Sequence, residues 1–321
     1  MTSFKNINPF SKTNTNTGFG TNVGDYGGRF INKDGTFNLR KEGLPFWKTT
    51  SLYYNLLNLP AWKFVVYLLL AYLSINVVFT MVYILIGVNQ LQGILAKEYW
   101  GKIREVFYFS AETFTTVGYG RVNPIGDAAN IVSSFESMSG FLSFAVVTGL
   151  MYGRFTRPRG YMVFSEHAVI APYQDKTALM LRLAPYKAHH HITDADIRLN
   201  VGFIVDEKGE QVYKFFELPL ERSHVDSLTM NWTVVHPIDE NSPLLGFTEH
   251  DLASSDTEVY VLVRGFDDVF SNTVIQRTSY TYKEIIYGAK FVPMYRESDD
   301  GKTTILELDK LNMYEKVFSS L

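Results

Sequence analysis

The feature that most constrains this chain is a long stretch without charge, because no Asp, Glu, Lys or Arg occurs between residues 63 and 97. Residues 64–86 are apolar over enough length to cross a hydrocarbon layer about 30 Å thick, which takes roughly 20 helical residues. A second apolar stretch covers residues 129–152 and contains one charged residue, Glu136. The sequence therefore predicts two membrane-spanning helices, an outer helix over 62–87 and an inner helix over 129–154.

Basic residues follow the second stretch directly, at Arg154, Arg157 and Arg159. Such a cluster is typical of a cytoplasmic boundary, because cytoplasmic loops carry an excess of Lys and Arg. The loop between the two spans is also basic, so the asymmetry is moderate. Since an even number of spans places both termini on one side, we expect a multi-pass protein of the cell membrane with both termini in the cytoplasm.

Between the two spans lies a short segment rich in Thr and Gly. Residues 102–114 predict a pore helix that is too short to cross a membrane and must therefore be re-entrant and buried in protein. The glycines that follow permit backbone angles that residues with a Cβ resist. Successive carbonyls can then face one axis and replace the water shell of K+. The predicted selectivity filter comprises Thr115, Thr116, Val117, Gly118, Tyr119 and Gly120, with K+ held at residues 116–119.

A ring of carbonyls around an ion needs several copies of this segment, because one chain supplies only one side of it. We therefore expect a homotetramer with K+ as the permeant ion and without a cofactor. In it, Val117 and Tyr119 point away from the axis and pack behind the filter. The Thr116 hydroxyl supplies a further oxygen at the inner mouth.

Other function classes are disfavoured by composition. A net charge of -3 argues against a general nucleic-acid binder, and the absence of cysteine excludes thiolate catalysis and Cys-based metal sites. No Ser-His-Asp set or phosphate loop is apparent, so an enzyme is not predicted. Adjacent side chains point to different sides, so the run from His189 through His190 to His191 does not predict a metal site, although a ring of four His191 side chains could sense pH.

The residues before the first span fall into two parts. Asn, Thr, Gly and Ser dominate to about residue 28, which predicts a flexible cytoplasmic tail over 1–46. Trp47 and Trp62 are suited to the depth of the bilayer interface. An amphipathic helix lying in that interface is therefore expected over 47–60, with an ordinary surface helix as the alternative. Its apolar stripe consists of Leu52, Tyr53, Leu56 and Leu57.

The pattern changes completely after Arg159. Residues 177–184 alternate in polarity, residues 259–263 are apolar throughout, and clusters of Gly, Pro, Asn and Asp separate such runs. Many short strands with little helix are typical of a sandwich of two sheets. The sequence therefore predicts an all-β domain over 155–321.

Three segments together give the chain a resemblance to inward-rectifier potassium channels, most closely to their prokaryotic members. They are the filter, the inner span ending in Thr148-Gly-Leu-Met-Tyr-Gly-Arg-Phe155 with the following Arg157-Pro-Arg159, and the stretch Trp232-Thr-Val-Val-His-Pro-Ile-Asp-Glu-Asn-Ser-Pro-Leu244. The resemblance implies a pore domain over 61–154 and an immunoglobulin-like cytoplasmic domain that extends the pore. It also implies that the interfacial helix links that domain to a gate.

The resemblance assigns roles along the inner span. Phe144 corresponds to the cavity residue that is acidic in strong rectifiers, so weak block by polyamines is expected. Tyr152 falls at the bundle crossing, and Thr148 lies between them on one helix face. We expect Tyr152 to form a hydrophobic gate that opens when the helices bend at Gly140 or Gly149, with interfacial anchoring as the alternative role.

The resemblance also identifies Glu112 as an acid that supports the filter from behind. A carboxylate at that depth needs a partner, which in eukaryotic members is an arginine just past the filter. Here that position holds Val122, and Arg121 lies one residue earlier. Arg121 is therefore expected either to pair with Glu112 or to face the outer vestibule, while Glu136 could share a hydrogen bond with this region.

In the cytoplasmic domain the resemblance places Asp194 on the wall of the pore and a narrow loop at its apex, which includes Gly265 and Phe266. A ring of carboxylates concentrates cations there. Arg264 stands where relatives often have glutamate and would oppose cation passage unless it pairs with Asp194 or Asp267. Arg264 therefore disfavours binding of polyamines in this part of the pore.

The basic residues at the membrane surface allow two interpretations. Lys48, Arg154, Arg157 and Arg159 could bind anionic lipids, with phosphoinositides implied by the resemblance, or could serve only as topology anchors. A non-conducting membrane receptor or regulatory subunit with channel architecture is the alternative function. The intact filter and the apolar inner span disfavour it.

Overall fold

A computed structural model describes residues 8–14, 29–45, 51–188, 191–207 and 210–317. The chain divides into two compact units. One unit is continuous and comprises Lys41–Arg157, whereas the other is built from two stretches, Met1–Arg40 and Pro158–Leu321.

The first unit is helical, and its helix boundaries follow local chemistry. Helix α1 (Leu52–Asn58) begins at Ser51, whose side chain accepts a hydrogen bond from the Tyr54 N–H. Pro60 separates it from α2 (Ala61–Ile86), because proline favours the start of a helix and disfavours its interior. Helix α2 ends at Gly87, whose φ of 107° suits a residue without a Cβ.

Two further helices complete this unit. Helix α3 (Tyr99–Phe114) leads into the Thr/Gly segment, and α4 (Asp127–Phe155) follows Gly126. Strands β1 (Leu91–Gln92) and β2 (Asn123–Pro124) pair antiparallel, which joins the segment before α3 to the segment before α4. Helices α2 and α4 are long and apolar enough to cross a membrane.

The second unit contains two five-stranded sheets. The strands of the first sheet are β6 (Ile192–Glu207), β7 (Glu210–Leu218), β8 (His224–Leu228), β10 (Glu258–Asp267) and β11 (Asn272–Thr281). Those of the second are β3 (Met162–Phe164), β4 (Ala168–Tyr173), β5 (Lys176–Pro185), β9 (Trp232–Ile238) and β12 (Ile285–Tyr287). In the first sheet the order is β11-β10-β6-β7 with β8 beside β6, and in the second it is β12-β4-β5-β3 with β9 beside β5.

The core of this unit lies between the two sheets. Leu181 and Val234 come from one sheet, Val201 and Val261 come from the other, and all four are fully or almost fully buried in one apolar cluster. Burial of such side chains is the main favourable contribution to folding. Short elements flank the sandwich: α5 (Glu249–Ser254), β13 (Ala289–Phe291), β14 (Tyr295–Glu297), β15 (Thr304–Leu306) and β16 (Tyr314–Lys316).

The expectation of a flexible tail over residues 1–46 is wrong at two described places. Residues 12–14 hydrogen-bond to β7, where Asn14 donates its N–H to the Phe215 carbonyl at 2.9 Å, and residues 29–31 pack against the first sheet. Phe30 and Ile31 are buried in an apolar cluster with Tyr213, Phe215 and Tyr260 from the first sheet. Arg29 forms ion pairs beside them, most closely with Glu284 at 2.5 Å. The aromatic and ionic contacts of these few residues therefore attach the segment to the β unit, despite its polar surroundings in the sequence.

Candidate functional site

The segment after α3 leaves the helical conformation in a regular way. Thr115 is still helical at φ -81° and donates its N–H to the Ala111 carbonyl. Positive φ values then occur at every second residue, with 59° at Thr116, 55° at Gly118 and 81° at Gly120. In a β-strand successive carbonyls point to opposite sides, whereas a backbone whose φ alternates in sign turns them toward one side. This is the geometry that a column of carbonyl ligands requires.

The base of this segment is fixed by the last turn of α3. Val117 donates its N–H to the Glu112 carbonyl at 2.9 Å, and Thr116 donates to the Thr113 carbonyl at 3.0 Å. The side chains predicted to pack behind the segment form no hydrogen bond within the part of the chain that the structure describes. Tyr119 is 79% exposed and Val117 is also exposed.

The acid predicted to support the segment has a different environment from the one expected. Glu112 is half-buried, and its carboxylate makes no hydrogen bond or ion pair within the described residues. Arg121 instead pairs with Glu105, with 2.8 Å between its Nη1 and Oε2 of the acid. Of the two roles expected for Arg121, pairing with Glu112 is not observed among the described residues, because Glu105 is the acid within its reach. A place at the outer vestibule stays a prediction.

Glu136 links three helices. This residue is fully buried and accepts hydrogen bonds from the Tyr83 hydroxyl on α2 at 2.6 Å and from the Ser110 hydroxyl on α3 at 2.5 Å. The Asn76 side-chain oxygen also accepts from Ser110, at 3.2 Å. A buried acid is tolerated when its oxygens are satisfied in this way. In the sequence, Glu136 is the single charged residue of an apolar span, and this feature indicated a buried acid.

Three residues expected to line a cavity and gate lie along α4. Phe144 and Tyr152 are 72% and 71% exposed, and the Thr148 hydroxyl donates to the Phe144 carbonyl at 2.8 Å. Phe144 borders an open, mostly apolar cavity of about 800 Å³, whose lining also includes Thr116 and Phe114. The residues of the inner span and of the Thr/Gly segment thus share one cavity.

The two glycines expected to act as hinges have different surroundings. A Cβ on Gly140 would collide with the backbone carbonyl of Phe114, so α4 is in close contact with the end of α3 there. Gly149 has no atom within 4 Å of an added Cβ. Gly140 is therefore a contact point between helices, and Gly149 is free of such a constraint.

Two of the four basic residues assigned to lipid binding are engaged within the helical unit. Arg154 donates to the carbonyls of Leu56, Leu57 and Leu59 at the end of α1, at 3.2, 3.3 and 2.5 Å. Such bonds satisfy carbonyls that a helix C-terminus leaves open, and the positive charge complements the helix dipole. Arg157 donates to the Asn58 side-chain oxygen at 2.5 Å.

The other two basic residues differ from these. Arg159 is exposed and forms no hydrogen bond or ion pair within the described residues. Lys48 and Trp47 lie outside the described residues, as do His189 and His190. His191 is described and exposed, and its carbonyl accepts the Asp268 N–H at 3.4 Å.

The acidic wall predicted in the β unit contains a histidine. On the first sheet, Asp196 is the Cα partner of Arg264 on one side and of His224 on the other. His224 contacts Asp196 at 3.1 Å, Asp226 at 3.3 Å and Asp194 at 3.8 Å. Hydrogen bonding to Asp196 and then to Asp226 raises the pKa of His224 above its usual value.

Arg264 does not form the ion pairs that were considered for it. Within the described residues it pairs with neither Asp194 nor Asp267, because Asp194 points toward His224 and Asp267 accepts the N–H groups of Val269 and Phe270. Gly265 and Phe266 follow it in β10, where the pairing with β6 is irregular between Arg264 and Phe266.

Comparisons with known proteins agree with this architecture. The family model described as "Inward rectifier potassium channel C-terminal domain" matches residues 162–320, and the model described as "Ion channel" matches residues 72–157. Inward rectifier potassium channel Kirbac3.1 of Paramagnetospirillum magnetotacticum is 34% identical over 286 residues, which cover 88% of this chain and 95% of that protein.

Animal proteins are also similar over a shorter region. The ATP-sensitive inward rectifier potassium channel 12 of Homo sapiens is 30% identical over 60% of this chain, and inward rectifier potassium channel 4 of Mesocricetus auratus is 30% identical over the same share. The matched region spans 46% and 45% of those two proteins. With two membrane helices that flank a filter-like segment, an all-β domain and these similarities along most of its length, the chain belongs to the inward rectifier potassium channel family.

Proposed function

We propose that four copies of this chain surround one axis and conduct K+ passively across the cell membrane through residues 115–120. The observation that carries this proposal is the alternation of φ at Thr116, Gly118 and Gly120, directly after the end of α3. Backbone oxygens arranged in this way replace the hydration shell of a dehydrated K+ ion. The relatives that the chain resembles are inward rectifier potassium channels, which supports the same conclusion.

The exposure of the supporting side chains favours a tetramer. Tyr119 and Val117 are exposed in one chain, although tyrosine and valine behind a filter need packing partners. A neighbouring copy supplies such partners when each chain contributes a quarter of the ring. The C-terminal end of α3 contributes to the same site, because its partial negative charge favours a cation.

The inner end of α4 is the proposed gate. Four copies of Tyr152 would close the pathway with a hydrophobic ring, and Phe144 would line the cavity without the charge that retains magnesium or polyamines. We therefore expect weak rectification. Replacing Tyr152 by Ala should raise the open probability in planar-bilayer recordings, and unchanged gating would assign Tyr152 to anchoring alone.

Topology and lipid contacts form a separate part of the proposal. Both termini lie in the cytoplasm, and anionic lipids, including phosphoinositides, bind near the inner ends of the helices. The exposed guanidinium of Arg159 supports this part, because each surface contact of that kind contributes about 1 kcal/mol. In the cytoplasmic pore, Asp194 would concentrate cations while Arg264 opposes them.

Reconstitution into liposomes tests the proposal directly. Purified protein should show rubidium uptake that barium blocks and that sodium does not support, and its mass in solution should be that of four chains. Gly118→Ala should abolish uptake, because a Cβ resists the positive φ at this position. A monomeric or dimeric particle without flux would refute the channel and favour the non-conducting receptor instead.

A further inference from the structure

Strand β10 begins with a buried acid, Glu258, which is only 3% exposed. Its Oε2 accepts the Phe30 N–H at 3.1 Å and the Tyr260 hydroxyl at 2.8 Å. Its Oε1 is buried too, but no group among the described residues donates a hydrogen bond to it. A buried carboxylate oxygen without a donor is destabilising, because burial has removed the water that would otherwise bind it. Glu258 therefore offers one open acceptor.

Arg29 lies close to this oxygen but does not satisfy it. Its Nε is 4.0 Å from Oε1 of Glu258, which is too far for a hydrogen bond. The same nitrogen donates to the Ser279 hydroxyl at 2.9 Å, and Nη2 donates to the Ser279 carbonyl at 2.7 Å and to Glu284 at 2.5 Å. The guanidinium is thus held by β11 and by the acid that follows it. It cannot move to Glu258 without losing these bonds.

A cavity of about 240 Å³ opens beside the open acceptor. Its lining includes two acids, Glu258 and Asp256, and two bases, Arg29 and Lys283. One water takes about 30 Å³ in the liquid, so the cavity has room for a small organic molecule. Arg29 is already paired with Glu284, whereas Lys283 is exposed and forms no ion pair within the described residues.

We infer that this cavity binds a small ammonium compound whose –NH3+ group donates a hydrogen bond to Oε1 of Glu258. An ammonium group carries three N–H donors and a positive charge, and its bonds to a carboxylate are stronger than neutral hydrogen bonds. Asp256 adds a second negative charge to the same cavity. A simple amine needs only these acids, whereas a free amino acid also has a carboxylate that Lys283 attracts.

The bound compound would also stabilise the N-terminal segment. The open oxygen belongs to the carboxylate that holds the Phe30 N–H, so a ligand on Oε1 restricts the rotation of the Glu258 side chain and strengthens the attachment of residues 29–31. All of these contacts lie within the β unit. The inferred site is therefore independent of conduction through residues 115–120.

Four single substitutions test the site. Glu258→Gln keeps an oxygen for Phe30 but places an NH2 group where the ammonium needs an acceptor. Asp256→Asn removes the second charge at a residue with φ 46°, a conformation that asparagine tolerates. Lys283→Gln removes the group that attracts a carboxylate. Lys290→Gln is the matched control, because Lys290 is an exposed lysine of the same unit.

Isothermal titration calorimetry of the purified full-length chain, in detergent and an amine-free buffer, is the first measurement. Ethylammonium chloride and alanine should bind saturably with one site per chain, whereas tetramethylammonium chloride, which has no N–H donor, and KCl should not. Glu258→Gln should weaken binding of both ligands at least about tenfold, and Asp256→Asn should weaken both by less. Lys283→Gln should weaken alanine alone, and Lys290→Gln should weaken neither.

The two ligands distinguish the sources of the ammonium group. Tighter binding of alanine, lost in Lys283→Gln, identifies an amino acid. Binding of ethylammonium alone, or an alanine affinity that Lys283→Gln leaves unchanged, identifies a simple amine. If Glu258→Gln fails to fold, Asp256→Asn and the comparison with tetramethylammonium on the unmodified chain decide.

Hydrogen–deuterium exchange of residues 29–40 is the second measurement. Ethylammonium should slow exchange in this segment of the unmodified chain and have no effect on residues 176–185, which lie in the second sheet. The inference is overturned if neither ligand binds, if tetramethylammonium or KCl binds as well as ethylammonium, or if folded Glu258→Gln retains full affinity. Saturable binding that leaves exchange of residues 29–40 unchanged would overturn the link to the N-terminal segment.

Discussion

The Tyr83 hydroxyl on α2 donates a 2.6 Å hydrogen bond to the carboxylate of Glu136 on α4. This bond connects the two membrane helices, and Glu136 is fully buried. Ser110 donates to the other oxygen, so the pore helix is held by the same acid. In an apolar environment, a buried polar group that loses its partner is destabilising by about 1–3 kcal/mol. Glu136 therefore matters for the integrity of the whole helical unit.

The first prediction concerns this acid. Glu136→Leu should lower the apparent melting temperature of the detergent-solubilised protein, because it leaves the hydroxyls of Tyr83 and Ser110 without their acceptor. Tyr83→Phe should be destabilising by a smaller amount, about 1 kcal/mol. Tyr99→Phe, at an exposed tyrosine of the same unit, is the control and should have no effect. A melting temperature that Glu136→Leu leaves unchanged would contradict the prediction.

The second prediction compares two glycines of α4. Gly140→Ala should destabilise the protein or displace the pore helix, since the new methyl group collides with the Phe114 carbonyl. Gly149→Ala meets no atom and should raise helix stability by about 0.5–1 kcal/mol. Thermal unfolding and flux of the two variants provide the measurement. If bending at Gly149 opens the gate, Gly149→Ala will also lower the open probability. An unchanged open probability would exclude Gly149 as the hinge.

The third prediction separates structural arginines from lipid-binding ones. Arg154→Gln should lower the melting temperature, because the carbonyls of Leu56 and Leu57 lose their charged donor. Arg159→Gln should leave the melting temperature unchanged and weaken the dependence of flux on anionic lipid. Vesicles with and without phosphatidylglycerol provide the comparison. Equal effects of both substitutions in both assays would show that the two residues have the same role.

The fourth prediction concerns pH. The neighbouring carboxylates of Asp196, Asp226 and Asp194 raise the pKa of His224 in the folded state, while the unfolded value is about 6.5. The stabilising contribution of this cluster is therefore complete below pH about 6.5 and is lost as the pH rises through the raised folded value. Melting temperatures of the unmodified chain and of His224→Gln should accordingly converge as the pH rises from 6 to 8.5. A difference that stays constant across this range would contradict the assignment.

Much of the fold follows from local pattern. The predicted fold class and the predicted membership of the inward rectifier potassium channel family are confirmed. The observed bounds of α2 and α4 differ from the expected ones by only one or two residues. The agreement is close because Pro60, Gly87 and Gly126, which lie directly outside the helices, are residue types typical of helix ends. Helix α3 begins three residues earlier than expected, at Tyr99, since its first turn contains aromatic residues and a glycine rather than a regular apolar pattern.

The relationships that were missed involve residues far apart in sequence. Phe30 finds its partners among residues 213–260, and no local pattern of the polar segment around it indicates burial. Arg121 was compared with Glu112 because the resemblance suggested that pair, whereas the pairing with Glu105 depends on how the loop before α3 folds back on the filter exit. Glu136 shows the opposite case, because a lone acid in an apolar span already indicates a buried partner.

The attachment of Phe30 to the β unit has a consequence for biosynthesis. Residues 29–40 leave the ribosome before either membrane helix, yet the strands that cover Phe30 lie beyond residue 209 in the sequence. During translation residues 29–40 therefore stay unpacked until α2 and α4 have entered the bilayer and the strands of the first sheet have been synthesised. A shortened gene that starts at Pro158 would produce a fragment with an uncovered apolar surface over Tyr213, Phe215 and Tyr260, and such a fragment is prone to aggregate.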